Sequence, residues 1–304
     1  KLKEIKIGDY VSIGSGRYES VTNKFDSGIK KSFELITKSG YRIRCSEDHK
    51  ILDSHNNFKP LKEFSVGEYV PINRNEFRKH IVHSKDINYF LGLLVADGSY
   101  AGNRKRDRYR IDLTIGLDDE ENVNFVRDFY VENDIKFGFT KKKNSNCAQY
   151  YNSGKVWRIK LHELGLDYVK GEMKSTPNSI LNGTYQMKSN YIAGLFDGDG
   201  HISKRGRIIL VNNSKKLLLE VQGMLLEFGI ISYIRKEKKS YKITIVGTSV
   251  EIFRKHVSFR LKRKRDELDK YYPTTKTNID FIPNKEEIFE IVKSDLKQKN
   301  VFLE

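Results

Sequence analysis

A nine-residue pattern occurs twice in this chain, as Phe90-Leu-Gly-Leu-Leu-Val-Ala-Asp-Gly98 and, roughly a hundred residues later, as Ile192-Ala-Gly-Leu-Phe-Asp-Gly-Asp-Gly200. Each copy is an apolar run that closes on an acidic residue followed by glycine. Small residues inside such a run let a helix approach a neighbour closely, and the final Asp-Gly places a carboxylate where the helix turns away. A single copy would more often be a buried helix running into a turn. Two copies demand more of the fold, because one carboxylate from each of two similar halves is what a pseudo-symmetric active site requires.

The stretches after the two copies repeat each other. After the first come a period-2 strand (Tyr109-Arg-Ile-Asp-Leu-Thr-Ile115), an amphipathic helix over Glu120 to Glu132, and strands expected around Ile135 to Lys141 and Lys155 to Leu161. After the second come a strand at Arg207 to Val211, a helix with apolar Leu217, Leu218, Val221, Leu225 and Phe228, and strands near Ser232 to Lys236 and Tyr241 to Val246. The helix ends echo each other in Glu132-Asn-Asp-Ile-Lys136 and Glu227-Phe-Gly-Ile-Ile231. Each half therefore reads as αββαββα.

Charge narrows the partner. Against 40 Asp and Glu the chain sets 56 Lys and Arg, a formal +16, and such a field attracts a polyanion. A Lys- and Glu-rich surface of thermophile type would hold the two signs nearer balance. Cys45 and Cys147 are too few for a disulfide framework or a cysteine zinc site. No stretch approaches a membrane span or a signal peptide, so the expectation is a soluble, cytoplasmic chain with no membrane partner.

On these residues the chain resembles the LAGLIDADG homing endonucleases, whose single-chain members carry the motif twice, over roughly residues 86 to 272. The resemblance implies an α+β fold of two pseudo-symmetric αββαββα repeats with DNA-binding antiparallel sheets. It makes Asp97 and Asp199 the ligands of Mg2+, one from each repeat, each serving one DNA strand. Val95 stands where the family's earlier aspartate would be, which the second copy keeps as Asp197. The family also places a basic residue near each metal site. Lys174, in Lys174-Ser-Thr-Pro177, matches it after the first repeat, and Lys264, with Lys262 close behind, matches it in Arg263-Lys-Arg-Asp-Glu-Leu268 after the second. Either lysine taken alone could equally be a solvated surface residue or a phosphate contact.

Sequence reading falls to the strands, because the major groove gives each base pair a distinct donor and acceptor pattern. The expected readers are Arg108, Arg110, Asp112 and Thr114 in the first repeat and Lys204, Arg205, Arg207, Asn212 and Asn213 in the second. Lys141, Lys142, Lys143, Lys236, Lys238, Arg260, Lys262, Arg263 and Arg265 are expected to touch phosphates, although any one such run could be a solvated face. The two halves have diverged, which points to a long and only weakly palindromic target; the resemblance implies a monomer that cuts across the minor groove and leaves 3′ overhangs.

Residues 1–75 read as β-rich, and Ser39 to Leu52 followed by Leu61 to Pro71 resembles the Hint domain of inteins, with Ser46 and His49 at its Thr-x-x-His positions. The plain alternative for His49 is a hydrogen-bonded histidine in a β-fold. Lys1 and the closing Val301-Phe-Leu-Glu304 lack the splicing residues, so the expectation is a chain that does not splice itself. The division expected is 1–75, 86–184 and 185–272 for the two repeats, and a helical tail over 273–304 with a helix from Lys285 to Lys297. Against site-specific double-strand cleavage stand an RNA maturase acting on intron RNA, a non-cleaving DNA-binding relative, and an autoprocessing Hint protein.

Overall fold

The computed structural model describes residues 2–14, 17–73, 85–103, 108–143, 145–166, 169, 171–271 and 285–298. The chain divides into two compact units. The first comprises Lys1–Phe25, Ile36–Tyr41 and Asn73–Thr275, and the second Asp26–Leu35, Arg42–Ile72 and Lys276–Glu304. This differs from the four-part division read along the chain, because residues 1–75 contribute to both units and the C-terminal segment clusters with the second.

The N-terminal region is β-rich, as its alternating runs predict. Strands β1 (Tyr10–Gly14) and β2 (Arg17–Ser20), β3 (Ser32–Ile36) and β4 (Arg42–Ser46), and β5 (Lys50–Leu52) and β6 (Phe58–Pro60) form three two-stranded sheets. Ser46 and His49 flank the turn between β4 and β5, where the His49 amide donates to the Ser46 carbonyl at 3.2 Å. Within the first unit, residues 36–41 lie on the second repeat. The Ser39 carbonyl accepts from Ile234 N (3.2 Å) and Gln222 Nε2 (3.0 Å).

The repeats follow one plan. The first runs α1 (Lys85–Asp97), β7 (Gly98–Asn103), β8 (Arg108–Gly116), α2 (Glu120–Glu132), β9 (Gly138–Lys141), β10 (Cys147–Asn152) and α3 (Lys155–Glu163). A short helix, α4 (Asn178–Leu181), leads to the second: α5 (Tyr185–Asp199), β11 (Gly200–Ile202), β12 (Ile208–Asn212), α6 (Lys215–Glu227), β13 (Ser232–Lys236), β14 (Tyr241–Ile245) and α7 (Thr248–His256). Helix α8 (Lys262–Asp269) follows, and α9 (Lys285–Gln298) belongs to the second unit. The sheets have matching orders, β7-β8-β10-β9 and β11-β12-β14-β13, with neighbouring strands antiparallel. Even the register agrees, since Gly98 pairs with Leu113 and Gly200 with Leu210.

One expected strand is a helix. Trp157, Ile159 and Leu161 alternate as a strand would, but the buried pair is Trp157 and Leu161, one helical turn apart, while Ile159 is exposed. Gly165 at φ +89° closes α3: its N–H donates to His162 O and that of Leu166 to Leu161 O. The echoing ends of α2 and α6 are this same closure. Asp134 (φ 53°) and Gly229 (φ 77°) take the left-handed position, and Ile135 and Ile230 donate to Tyr130 O and Leu225 O. Of the expected tail, residues 273–284 lie outside the described residues. No helix among the described residues is long and apolar enough to cross a membrane.

The motif helices α1 and α5 pack together at the centre of the first unit. A Cβ on Gly92 would collide with Tyr191 O and lie 2.7 Å from Leu195 N, and one on Gly194 would collide with Tyr89 O and lie 3.2 Å from Leu93 N. The contact is reciprocal, backbone against backbone, and only glycine permits it. Around it Tyr89, Phe90, Leu91, Leu93, Leu94, Tyr191, Ile192, Leu195 and Phe196 are buried to within 2%. Each such side chain contributes roughly 1.5–3 kcal/mol by leaving water.

Gly194→Ala gains about 1 kcal/mol of helix propensity, but the obstructing atoms are backbone and cannot swing aside. The expected net loss is about 1–3 kcal/mol, read as a fall in Tm. Gly223→Ala on the exposed face of α6, where a Cβ meets open space, is the control and is expected to raise Tm.

Candidate active site

Asp97 and Asp199 are the last residues of α1 and α5, so the close crossing of the helices delivers both carboxylates to one place. A Cβ on Gly198, beside Asp199, would lie 2.9 Å from Asp97 Oδ2. Asp97 reaches solvent, yet the protein around its carboxylate, and then the charge of Asp199, push its pKa up to about 6. Asp199 is also raised by burial, against the pull of Asn212, whose Nδ2 donates to its Oδ2 at 2.9 Å. Two carboxylates at two helix C-termini, each of which carries its own partial negative charge, concentrate unneutralised charge at one spot.

Lysine counter-charges come from the segments after each repeat. Lys174 Nζ donates to Val95 O (2.7 Å) and Ala96 O (2.9 Å), capping α1, and Lys264 Nζ donates to Phe196 O (2.9 Å), Asp197 O (2.6 Å) and Gly200 O (2.6 Å), capping α5. An ammonium has three protons. Those of buried Lys264 are all committed to carbonyls, whereas Lys174 keeps one for a ligand among the described residues. Burial lowers both pKa values, that of Lys264 to about 8.

Asp197 is a buried hub, a larger role than the supporting contact its position suggests. It accepts from Tyr89 Oη (2.6 Å), Arg260 N (2.8 Å) and Leu261 N (3.4 Å), joining α1, α5 and the chain leading into α8. Tyr89 Oη also lies 2.6 Å from Asn122 Oδ1. The hydroxyl has one proton, so it donates to one of these two acceptors at a time. Val95, at the corresponding place in α1, offers no such acceptor.

The basic residues divide into outward and inward groups. Lys204, Arg205 and Arg207 on the β11–β12 turn, Lys236 and Lys238 on the β13–β14 turn, Lys141 and Lys143 on the β9–β10 turn, and Asn213 are exposed. By register the β11–β12 and β13–β14 turns lie at opposite ends of their sheet, since Ile208 pairs with Ile202 and Asn212 with Tyr241. Lys142 donates to Thr114 Oγ1 at 3.2 Å on the outward face of β8. Of Arg108 the strand position alone is described.

Other expected DNA contacts are engaged by partners within the protein. Asp112 is 3% exposed and holds Arg110 Nε at 2.6 Å, with the guanidinium 4.8 Å from the Tyr151 ring, so it anchors Arg110 rather than facing a base. Asn212 shares the inward parity of Ile208 and Leu210, which is why it reaches Asp199. In the run from Arg260 to Arg265 the basic side chains have partners within the protein, although Lys262, Arg263 and Arg265 stay exposed. Arg260 stacks 3.9 Å from the Tyr89 ring centroid, Lys262 pairs with Asp266 at 2.5 Å, Arg263 pairs with Asp119, and Arg265 donates to Phe259 O at 3.1 Å. A long basic side chain beside aromatic and acidic partners exchanges water for them, and composition does not reveal those partners. Outward residues that the strand reading passed over are Gln149 and Tyr151 beside Thr114 and Asp112, and Arg235, Lys242 and Thr244 in the second sheet. Their alternation against the buried Ala148, Tyr150, Ile243 and Ile245 was the available signal.

A family model for a LAGLIDADG-like domain matches residues 186–258, which span α5 to α7 and include Asp199. The chain is 22% identical, over 89% of its length, to the DNA-directed RNA polymerase subunit Rpo1C of Methanocaldococcus jannaschii, and covers 33% of that protein. It is 25% identical, over 86% of its length, to the replicative DNA helicase DnaB of Nostoc sp., and covers 32% of it. The chain thus spans about a third of the length of these curated relatives. The solved structure of I-DmoI in complex with DNA and Ca is 17% identical, with a TM-score of 0.48, and the match covers 60% of this chain and 96% of that one. The similarity to a LAGLIDADG-like domain is thus carried by residues 186–258.

The raised pKa of Asp97 has a stability consequence with a definite sign. The folded chain holds this proton more tightly than the unfolded chain, so stability falls as pH rises from the ordinary carboxylate value of 3.8 through about 6. Asp97→Asn is therefore expected to raise Tm at pH 7–8, with the gain disappearing toward pH 4; thermal melts across that range check it.

Proposed function

We propose that this chain is a site-specific DNA endonuclease that hydrolyses both strands of a long, weakly palindromic duplex as a monomer with pseudo-twofold symmetry. The observation that carries this is the meeting of Asp97 and Asp199 at the ends of two close-packed helices, each capped by a lysine and each followed by a four-stranded antiparallel sheet. The LAGLIDADG-like domain over residues 186–258 supports it.

The donor set suits a divalent cation. No group of three His, Cys, Asp or Glu able to hold a metal occurs among the described residues, and two hard carboxylates fit Mg2+, which keeps several waters and takes further oxygens from phosphate. When bound, the ion supplies neutralisation of phosphate charge and a more acidic water. Asp97 and Asp199 would hold it. Lys174 has an N–H in hand for the phosphate or its attendant water, while Lys264 contributes charge and fixes the end of α5. The exposed Lys204, Arg205, Arg207, Lys236 and Lys238 touch phosphates at both ends of their sheet, and the outward faces of the strands read bases.

We also read residues 1–75 as Hint-like and the whole as intein-derived. Ser46 and His49 on the β4–β5 turn support this, as does the pair of relatives. An RNA polymerase subunit and a helicase share no activity, yet each matches most of this chain over about a third of its own length. What they have in common with it is a segment rather than a reaction.

The test begins by selecting a bound duplex from a randomised library and assaying its cleavage with Mg2+. Several kcal/mol of charge stabilisation corresponds to roughly two to three orders of magnitude in rate, so Asp97→Asn and Asp199→Asn are each expected to lose double-strand cleavage by about that factor. At fixed, sub-saturating Mg2+ the wild-type rate is expected to fall as pH drops into the acidic range, where a proton competes with the ion for Asp97, whose pKa burial and Asp199 already raise. Wild-type cleavage rates retained in either variant overturn the ligand assignment. Binding without cleavage by the unaltered chain leaves the non-cleaving reading in its place.

A further inference from the structure

Each lysine caps the motif helix of its own repeat, but the segment that carries it is fastened to the other repeat. The chain into α8 brings Lys264 to α5. Arg263 of that segment forms a two-pronged pair with Asp119, the residue immediately before α2 of the first repeat, and the Lys262 amide donates to Glu121 Oε1 at 2.9 Å. Arg260 lies on the ring of Tyr89, also of the first repeat.

Lys174 is held in the mirrored way. Its carbonyl accepts from Ser214 Oγ at 2.5 Å, and Ser214 is the residue immediately before α6 of the second repeat. The Thr176 amide donates to Glu220 Oε2 at 2.7 Å, in the same helix. Ser214 is itself held at its amide by Asn212 Oδ1 (2.9 Å), and Asn212 donates to Asp199. Asp119 and Ser214 thus occupy equivalent places, one before each second helix, and each grips the opposite repeat's lysine segment.

We propose that Asp119 and Glu121 are positioning residues for Lys264, and that Ser214 and Glu220 are positioning residues for Lys174, so that each half of the fold sets the basic group of the other. The consequence for catalysis rests on the endonuclease reading above. Displacing a basic group by about an ångström costs up to roughly a hundredfold in rate, so the effect of each clasp is expected to cross from one repeat to the other. A change in the first repeat then slows the cut that depends on Lys264.

Strand-resolved nicking of the selected duplex tests this, with Lys264→Met and Lys174→Met defining which strand depends on which lysine. Asp119→Ala is expected to slow the Lys264-dependent strand roughly ten- to a hundredfold more than the other, and Glu220→Ala to do the reverse. The double charge reversal Asp119→Arg with Arg263→Asp is expected to recover most of the loss, which excludes simple misfolding. Equal slowing of both strands, or slowing of the strand belonging to the variant's own repeat, overturns the proposal.

Amide hydrogen exchange of the DNA-free chain supplies an arm that needs no cleavage. Asp119→Ala is expected to speed exchange over 260–264 and leave 174–176 unchanged, and Glu220→Ala the converse. If the unaltered chain does not cut any duplex but exchange shows the crossed pattern, the endonuclease reading fails and the clasp stands. An uncrossed or absent pattern overturns the clasp whatever the chain does to DNA.

Discussion

The backbone contact between α1 and α5 at Gly92 and Gly194 is the constraint on which the rest of the first unit hangs. Two helices that touch through glycine backbones have little freedom to slide, since either shift drives a side chain into the partner's carbonyl. That contact fixes where both helices end. It thereby fixes the separation of Asp97 and Asp199, and with it the places from which the sheets depart at Gly98 and Gly200.

Bringing two helix C-termini and two carboxylates together is electrostatically unfavourable in isolation, and the structure answers with lysines rather than with distance. Lys174 and Lys264 reach in from segments far along the chain and bond the carbonyls that helices leave unpaired at their ends. The two answers differ in degree. All three protons of Lys264 are bound and, among the described residues, two of Lys174, while Asp197 adds a buried acceptor on one side that Val95 cannot match. The pseudo-symmetry is one of backbone, and the polar chemistry at its centre is unequal.

Much of this was legible in the sequence because periodicity and turn residues act locally. The motif helices, α2, α6, β8, β13 and the closing signals at Asp134 and Gly229 all follow from spacing within a dozen residues. Lys155 to Leu161 was misleading because Trp157, Ile159 and Leu161 satisfy a period of two as well as a helix whose buried face is only Trp157 and Leu161. The partners of Arg260, Arg263 and Asn212 were not legible, since each lies in another element. A count of positive charge registers a basic run without distinguishing residues that meet solvent from those already paired.

The reciprocal form of the glycine contact, with Gly92 against Tyr191 and Gly194 against Tyr89, is that of an isologous dimer interface written into one polypeptide. In a true homodimer every substitution appears twice, and a change that suits one half is imposed on the other. Here the two faces are encoded separately. A single replacement such as valine for aspartate at position 95 alters one half alone, which frees the two ends of the molecule to drift toward different ligands while the shared axis stays intact.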